Sequence, residues 1–537
     1  MKRILTFLPA VAATILLAFA VSCKNDKAPA ANSAEMDAFL REAPYLNHLP
    51  DDPDMLITFH VLQLLDKSGF ATDEAFADLR NQLLEGMEPA TRVAALGILR
   101  DPSLAGLDPA HPIVIALDNI TVAGEDATVD LYGVLPLSNR DLLIKLANQA
   151  DAGLTADEDG NYRINQYNMA ATILPDAVVF FASNSGLTEK EIAARRDAMV
   201  AKSSVYVGGP LAESVLMAGD DLALLATEKV SAMLKQAVDQ KLGRDIAQLL
   251  GGNPFDGIAT TLRLNCLKGK LVADVHTEGS NALLNRMKGW IGTPDKKALA
   301  CLPAPLTVAG QVALNNVPDI LDFVQGVLDR SGEADGIVIG DLLASFGIKP
   351  EDLKDLGTIC FGYNPVTYSS GDFIVVADAG EKLVDTLEGL ITGVGMTNDP
   401  QTGYYQLTDN YCVAFKDGYA QLASWGMTRA SGSFPRDCSR LAGVLSGSSI
   451  VMDLAGLQVP SFDYGLLTLG LTDCRFDAYT TEPGDNAAKT LLTLVIDYLN
   501  GMVSMFEADP DPYDFDAGFG PDFDEDFDED FYDPDFD

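Results

Sequence analysis

The sequence predicts an α+β fold of two related modules, each an antiparallel or mixed sheet with helices packed on one face, followed by a disordered acidic tail. Apolar and polar residues alternate in short segments such as 162–167, a pattern typical of strands with one buried face. Apolar residues spaced three and four apart indicate helices between such segments. The 537 residues, 47% of them apolar, are enough for roughly two to four domains.

The same order of elements occurs twice along the chain. A strand, a helix over 140–149 and further strands are followed later by a strand, a helix over 381–391 and further strands. The matching residues Gly160 and Gly403 are 243 positions apart. Self-similarity at a long, fixed separation indicates a duplicated architecture. Extra helices are expected in the first module between about 73 and 106, where apolar residues recur at helical spacing.

The N-terminus has the features of a bacterial lipoprotein signal. Two basic residues at 2–3 precede an uncharged, largely apolar run at 4–20, and the triplet Ala-Val-Ser at 20–22 stands directly before Cys23. This triplet resembles a lipobox, which implies cleavage before Cys23 and lipidation of that residue. The alternatives are an ordinary signal peptide with a chance cysteine, or an uncleaved membrane helix, although the run is shorter than the ~20 residues that span a bilayer.

A lipidated Cys23 places the protein in the bacterial cell envelope, anchored at the outer membrane. Lys24 and Asp26 match a surface-export pattern only in part, so the periplasmic and external faces both stay open. Residues up to 42 are mostly polar or small and are predicted to form a flexible tether. The predicted segments are a signal peptide at 1–22, the tether at 23–42, modules at 43–297 and 298–506, and the tail at 507–537.

The segment after the tether resembles a known family. Residues 45–53 read Tyr-Leu-Asn-His-Leu-Pro-Asp-Asp-Pro, and a strand followed by a helix is expected over 56–70. These features and the overall length are similar to domain-of-unknown-function family 4836, envelope lipoproteins of certain Gram-negative bacteria. The resemblance implies lipoprotein status and an α+β build, and it brings no catalytic residue.

The charge balance excludes one class of partner. The chain has 78 acidic and 37 basic side chains and a formal charge of −41. Nucleic acid binding requires clustered Lys and Arg, so nucleic acid is excluded as a natural partner. Adsorption onto an anionic lipid surface is equally disfavoured.

The C-terminal tail combines carboxylates with regularly spaced aromatic residues. Residues 507–537 contain 15 acidic side chains and no basic one. The phenylalanines that recur every four residues are Phe515, Phe519, Phe523, Phe527 and Phe531. Three interpretations stay open: a solubilising segment, a motif that docks into a basic, apolar groove of a partner, and weak binding of divalent cations.

The sequence contains none of the common catalytic motifs, such as the Gly-x-Ser-x-Gly elbow or His-Glu-x-x-His. Its histidines, which are His48, His60, His111 and His276, show no metal-ligand spacing and are interpreted as structural, with His60 and His276 inside strands. No metal site and no cofactor is predicted. The 78 acidic residues leave a glycosidase-like pair of carboxylates open and give it no position.

Six cysteines remain besides Cys23, and no two of them form a Cys-x-x-Cys motif. They are Cys266, Cys301, Cys360, Cys412, Cys438 and Cys474. An even number allows disulfides in an exported protein, and buried thiols are the alternative. Cys360 and Cys412 flank the second strand–helix–strand unit and form the candidate disulfide pair.

The leading functional hypothesis is a membrane-anchored, non-enzymatic envelope protein that binds an envelope protein or glycan. A tether and two similar modules favour a multivalent partner. The alternative is a surface hydrolase of glycans or peptides that uses a carboxylate pair.

Overall fold

The fold is described from a computed structural model of the chain. The described residues are 33–87, 89–123, 126–149, 154–158, 160–166, 168–230, 257–279, 282–294, 302, 306–331, 338–345, 347–365, 371–428, 448–470 and 472–496. The chain divides into two compact units, Met1–Thr490 and Leu491–Asp537. In the second unit the described residues, 491–496, are helical.

The described part of the first unit is built on one sheet of 19 strands. The strands are β1 Met55–Phe59, β2 Ile113–Ala123, β3 Asp126–Pro136, β4 Thr155–Ala156, β5 Tyr162–Gln166, β6 Met169–Ile173, β7 Ala177–Ser183, β8 Leu222–Ala226, β9 Ile258–Leu267, β10 Lys270–Gly279, β11 Val308–Ala313, β12 Thr358–Asn364, β13 Asp372–Asp378, β14 Tyr405–Gln406, β15 Tyr411–Lys416, β16 Tyr419–Ser424, β17 Ser448–Asp453, β18 Phe462–Leu469 and β19 Asp473–Thr480. Their pairings are antiparallel, and the order across the sheet is β4-β5-β6-β7-β3-β2-β1-β8-β9-β10-β19-β18-β17-β11-β12-β13-β16-β15-β14.

The α+β class and the antiparallel sheet are as the sequence predicts. Two predicted helices also match in detail. The helix predicted over 140–149 spans Arg140–Gln149, and the helix predicted over 381–391 spans Gly380–Gly393. The dipeptide Asp417–Gly418 connects β15 to β16, and both residues have positive φ, 52° and 83°. A two-residue turn with two left-handed residues matches the twist of the strands that it joins.

The strands β10 and β19 join the two halves of the sheet. They pair in register from Lys270↔Tyr479 to His276↔Asp473, residues about 200 positions apart in the chain. We call this pairing the seam. Because it continues the hydrogen-bonded ladder, neither strand presents a free edge, and residues of both predicted modules lie in one compact unit.

The pairing order is the same on both sides of the seam. One side reads β7-β3-β2-β1-β8-β9-β10 and the other reads β16-β13-β12-β11-β17-β18-β19. The register also corresponds: Tyr132 pairs with Phe181, and Ile374 pairs with Ala423, each residue 242 positions later.

The first helix precedes β1, and the others in the following list lie between strands. The helices are α1 Ser33–Glu42, α2 Val61–Ser68, α3 Ala77–Leu83, α4 Pro89–Arg100, α5 Arg140–Gln149, α6 Glu189–Ala201, α7 Pro210–Met217, α8 Ala282–Met287, α9 Val317–Ser331, α10 Ile339–Ser345, α11 Gly380–Gly393 and α12 Trp425–Thr428, with 3₁₀ turns at Pro44–His48, Glu74–Phe76, Pro102–Ala105 and Pro350–Asp355. The helix α6 begins with a capping box, in which the side chains of Thr188 and Glu191 bond each other's backbone N–H groups.

The structure differs from the sequence prediction in where helices pack. In the first half, α1, α6 and α7 cover one face of the sheet, where Leu56, Val114 and Phe181 are buried. The helix α5 packs on the other face through Ile144, against Val178. Helices therefore lie on both faces, because adjacent residues of a buried strand point to opposite sides and both sides here are apolar.

The structure also differs over Ser33–Glu42, where the sequence predicts a flexible tether. These residues form α1, and Met36 and Leu40 are buried in the main core. The two side chains are four positions apart and share one helix face, so this part of the predicted tether is ordered. The signal peptide, Cys23 and the tail at 507–537 lie outside the described residues.

We expect Leu40→Ala to lower the free energy of unfolding by about 2–3 kcal/mol, because Leu40 is 8% exposed and its truncation leaves a cavity in the core. Chemical denaturation monitored by circular dichroism measures the change. Leu83→Ala, at a helical leucine that is 57% exposed, is the matched control and should change the value by less than about 1 kcal/mol. Equal effects would contradict the packing of α1.

Candidate functional site

The predicted disulfide between Cys360 and Cys412 is wrong. Neither cysteine is in a disulfide, and both are buried. Cys360 lies in β12 and Cys412 in β15, and β13 and β16 lie between these strands, which separates them by about 14 Å at a strand spacing of ~4.8 Å. A disulfide requires Cα atoms within about 7 Å.

The buried thiols fit the alternative interpretation, in which cysteines pack as small apolar groups. Cys360 and Cys412 belong to one hydrophobic cluster, and Cys412 Sγ donates a hydrogen bond to the Ala423 carbonyl at 3.3 Å. Burial raises the pKa of Cys412 to about 11, so the reactive thiolate is scarce at neutral pH.

Each histidine has an identifiable structural environment. His111 Nδ1 lies 2.8 Å from Asp108 Oδ2. His48 Nδ1 lies 2.9 Å from the Met199 carbonyl, and His276 Nδ1 lies 2.6 Å from Asp473 Oδ1 across the seam. His276 is in β10, as predicted, whereas His60 follows β1 and precedes α2 instead of lying in a strand. Burial is the largest influence on the pKa of His60 and lowers it. Among the described residues, no group of three or more His, Cys, Asp or Glu side chains is arranged to hold a metal ion.

Four charged residues at the seam are linked by three ion pairs. We call Lys270, Asp274, Arg475 and Asp477 the seam cluster. Arg475 donates to Asp477 through Nε and Nη2 at 3.0 and 3.1 Å, and its Nη1 lies 3.4 Å from Asp274. Lys270 reaches Asp477 at 3.1 Å. The Arg475–Asp274 and Lys270–Asp477 pairs cross between β10 and β19 and therefore connect the two halves of the sheet, whereas the Arg475–Asp477 pair lies within β19.

The two aspartates of the seam cluster titrate in opposite directions. Hydrogen bonds from Arg475 and Lys270 outweigh burial and lower the pKa of Asp477. Burial raises the pKa of Asp274 despite the attraction of Arg475. Divergent pKa values are also found in acid–base pairs of enzymes. Here, however, neither aspartate lines either of the two cavities described below.

The first cavity, of about 440 Å³, lies beside the starts of β1 and α7. We call it the acid-rimmed pocket. Its lining residues are Asp51, Asp52, Pro53, Leu56, Tyr206, Gly209, Pro210, Leu211, Ala212, Leu225, Thr227, Glu228, Lys229, Ala259 and Glu278. Two of its carboxylates are ion-paired: Asp51 with Lys202 at 2.8 Å and Asp52 with Lys229 at 3.0 Å.

The Asp51 carboxyl group of the acid-rimmed pocket does not resemble a general acid. Hydrogen bonds from Lys202 and the Val207 N–H outweigh burial and lower the pKa of Asp51, whereas a catalytic acid needs a raised pKa. Tyr206 is 2% exposed, and burial raises the pKa of its phenol. Its hydroxyl has no hydrogen-bond partner among the described residues.

The second cavity, of about 420 Å³, lies between α11 and the sheet. We call it the apolar cleft. Its lining residues are Ile348, Val375, Ala377, Leu387, Leu390, Ile391, Leu407, Val413, Phe415, Ala420, Gln421 and Leu422. Gln421 is the only polar residue in this set, and its Oε1 accepts a hydrogen bond from the Tyr404 hydroxyl at 2.8 Å.

The apolar cleft exists because α11 packs closely only at its start. Leu383 and Val384 are buried against Ile348, whereas the next turns present Leu387 and Leu390 as half-buried side chains above the sheet. The Tyr405 hydroxyl donates to Glu388 Oε1 at 2.8 Å and holds this later part of α11 beside β14. A concave, apolar cavity of this size is the usual form of a small-ligand site.

Sequence reasoning predicted α11 and its flanking strands but missed the cleft. A signal was present, since Leu383, Leu387, Leu390 and Ile391 extend one apolar stripe along the helix. The stripe does not reveal whether its full length touches the sheet.

Comparisons with known proteins are limited to weak structural similarity. No family model matches the chain, and no curated protein matches it. The similar structures include three crystal structures of TP0453, in crystal forms IV, III and I, with sequence identities to this chain of 13%, 11% and 14%. The matched regions cover 43%, 47% and 44% of this chain and 79%, 88% and 79% of the respective TP0453 chains. The TM-scores are 0.25, 0.25 and 0.24. The resemblance to family 4836 stays a prediction.

No described helix has the length and apolar character needed to cross a membrane.

We expect Asp477→Asn to lower the free energy of unfolding by about 1–2 kcal/mol at pH 7, because it removes the charge that pairs with Arg475 and Lys270. The folded-state pKa of Asp477 lies below its unfolded value, so this stability is present above the unfolded pKa and is lost as pH falls through the folded one. Denaturation of both proteins at pH 7 and pH 3 measures the change, and the difference should shrink at pH 3.

The control for this prediction is Asp485→Asn, which removes an exposed pair with Lys489 and should cost less than about 0.5 kcal/mol. A difference for Asp477→Asn that stays constant from pH 7 to pH 3 would show that the charge pairing is not its cause.

Proposed function

We propose that the chain is a lipid-anchored protein of the bacterial cell envelope, attached at the outer membrane through Cys23, which binds an apolar ligand in the apolar cleft without catalysis. The basic start, apolar run and lipobox-like triplet before Cys23 support the anchor. Two or more acyl chains at one residue give stable attachment where a single chain gives marginal binding.

The main support for a binding function is the apolar character of the cleft. Eleven of its twelve lining residues are apolar, and the hydrogen bond between Tyr405 and Glu388 holds the helix beside it. Transfer of apolar surface from water into such a site is favourable at about 25 cal/mol per Å². Binding of this kind requires no catalytic group, because it depends only on the shape of the cleft and on the absence of charged side chains from its lining.

The repeated pairing order supports a further part of the proposal: the two halves are copies of one module that fused through the seam. The correspondence of Tyr132 with Ile374 and of Phe181 with Ala423, each at 242 positions, supports duplication. In this proposal the first copy supplies the acid-rimmed pocket and the second supplies the apolar cleft, so that the copies have different surfaces. The tail phenylalanines Phe515–Phe531 would serve as a docking motif for an envelope partner.

We expect Cys23→Ala to abolish incorporation of radioactive fatty acid and to shift the protein from the membrane fraction to the aqueous fraction. The reason is that Cys23 is the only proposed attachment point. Cells expressing either form are labelled and then fractionated. Cys412→Ala, which removes a buried free thiol, is the control and should retain both the label and the membrane fraction. Label retained by Cys23→Ala would contradict the anchor.

We expect Leu422→Gln to weaken binding of Nile red, an uncharged dye that fluoresces in apolar surroundings, about 5–10-fold. Leu422 lies on β16 at the cleft and is 40% exposed, so its replacement puts an amide among apolar neighbours. Fluorescence titration of purified protein gives the affinity.

The matched control is Leu267→Gln, at the end of β9, where the leucine is also 40% exposed. Its affinity should equal that of the unmodified protein within about twofold. Equal weakening by both substitutions, or by neither, would contradict binding in the cleft.

A further inference from the structure

We infer that the ligand of the apolar cleft is one acyl chain, held along the sheet with its polar end outside. This inference rests on the proposed binding function and specifies its ligand class. The floor of the cleft, its volume and the position of its one polar lining residue support it.

The floor is a regular grid of side chains from three strands. In register, Val375 of β13, Leu422 of β16 and Val413 of β15 form one row. The second row consists of Ala377, Ala420 and Phe415 from the same strands.

The two alanines make the second row low on β13 and β16, and the larger Val375, Leu422 and Phe415 side chains border this depression. The three strands span two strand spacings, about 10 Å. A groove bordered in this way suits a narrow, linear group.

The volume of the cleft matches the volume of an acyl chain of ordinary length. A methylene group occupies about as much space as a water molecule, ~30 Å³. The cleft volume of about 420 Å³ therefore has room for on the order of 14 methylene groups.

Among the described residues, the lining has no charged side chain to pair with a charged ligand end. Gln421 is its one polar residue, and it alternates with Ala420 and Leu422 on β16, so its side chain points to the opposite face of the strand, where its Oε1 accepts a hydrogen bond from Tyr404. A charged or strongly hydrated group inside would lose its water without compensation. The polar end of the ligand therefore stays in solvent, and the chain alone provides recognition.

The experiment measures displacement of Nile red from the full-length protein by saturated fatty acids of 8 to 18 carbons, each below its micellar concentration. We expect affinity to tighten about fourfold per added methylene, as follows from ~0.8 kcal/mol per buried CH₂, and to level off near 14 carbons. A lysophospholipid with a 14-carbon chain should bind within about threefold of the fatty acid of that length, because the head group is outside. A lysophospholipid that fails to compete would overturn this placement.

Two variants locate the site. Leu422→Gln should weaken the 14-carbon acid about 5–10-fold, with Leu267→Gln as the matched control. Ala377→Phe fills the low row of the floor and should move the plateau about three carbons shorter, which is a readout that simple loss of folding does not produce.

The outcomes separate this inference from the proposed function. An affinity that does not depend on chain length, or a plateau that Ala377→Phe leaves unchanged, overturns the acyl-chain inference. If a rigid polycyclic ligand such as a sterol displaces the dye and fatty acids do not, the inference fails while the binding function stands. If neither the dye nor any chain binds, both fail.

Discussion

The pairing of β10 with β19 joins the two halves of the sheet into one. Each strand alone would end a half-sheet with a row of unpaired N–H and C=O groups, which is a template for aggregation. Their register from Lys270↔Tyr479 to His276↔Asp473 satisfies these groups within the chain. Arg475 pairs with Asp274 and Lys270 pairs with Asp477 across the same ladder, so the backbone and the side chains specify one alignment of the two strands.

A continuous sheet places the two cavities at positions determined by register. The acid-rimmed pocket adjoins β1, β8 and β9 in the first half, whereas the apolar cleft lies over β13, β15 and β16 in the second. The two cavities differ in chemistry because the residues at their borders differ, with four carboxylates at one and apolar side chains at the other. The same strand order thus supports two different surfaces.

Local patterns were enough to predict much of the fold. The helix over 140–149 and the turn at Asp417–Gly418 follow from nearby residues alone, and both are present. The helix at Ser33–Glu42 was missed, although Met36 and Leu40 stand at helical spacing, because small and polar neighbours dominate that segment.

Features that depend on distant residues could not be predicted in this way. The pair Cys360 and Cys412 was inferred from position in the chain, but strand order places two other strands between them. The sequences of the two seam segments each indicate a strand, but they do not indicate which strand each one pairs with. The apolar cleft depends on where α11 separates from the sheet, which is a property of packing and not of the helix pattern.

Amide hydrogen exchange at the seam distinguishes one shared sheet from two separate half-sheets. We expect residues 270–276 and 473–479 to exchange as slowly as their inner neighbours in β9 and β18, because all these amides belong to one ladder. Fast exchange in both segments, at the rate of the outer strands β4 and β14, would show that β10 and β19 are edges and that the two halves do not share a sheet.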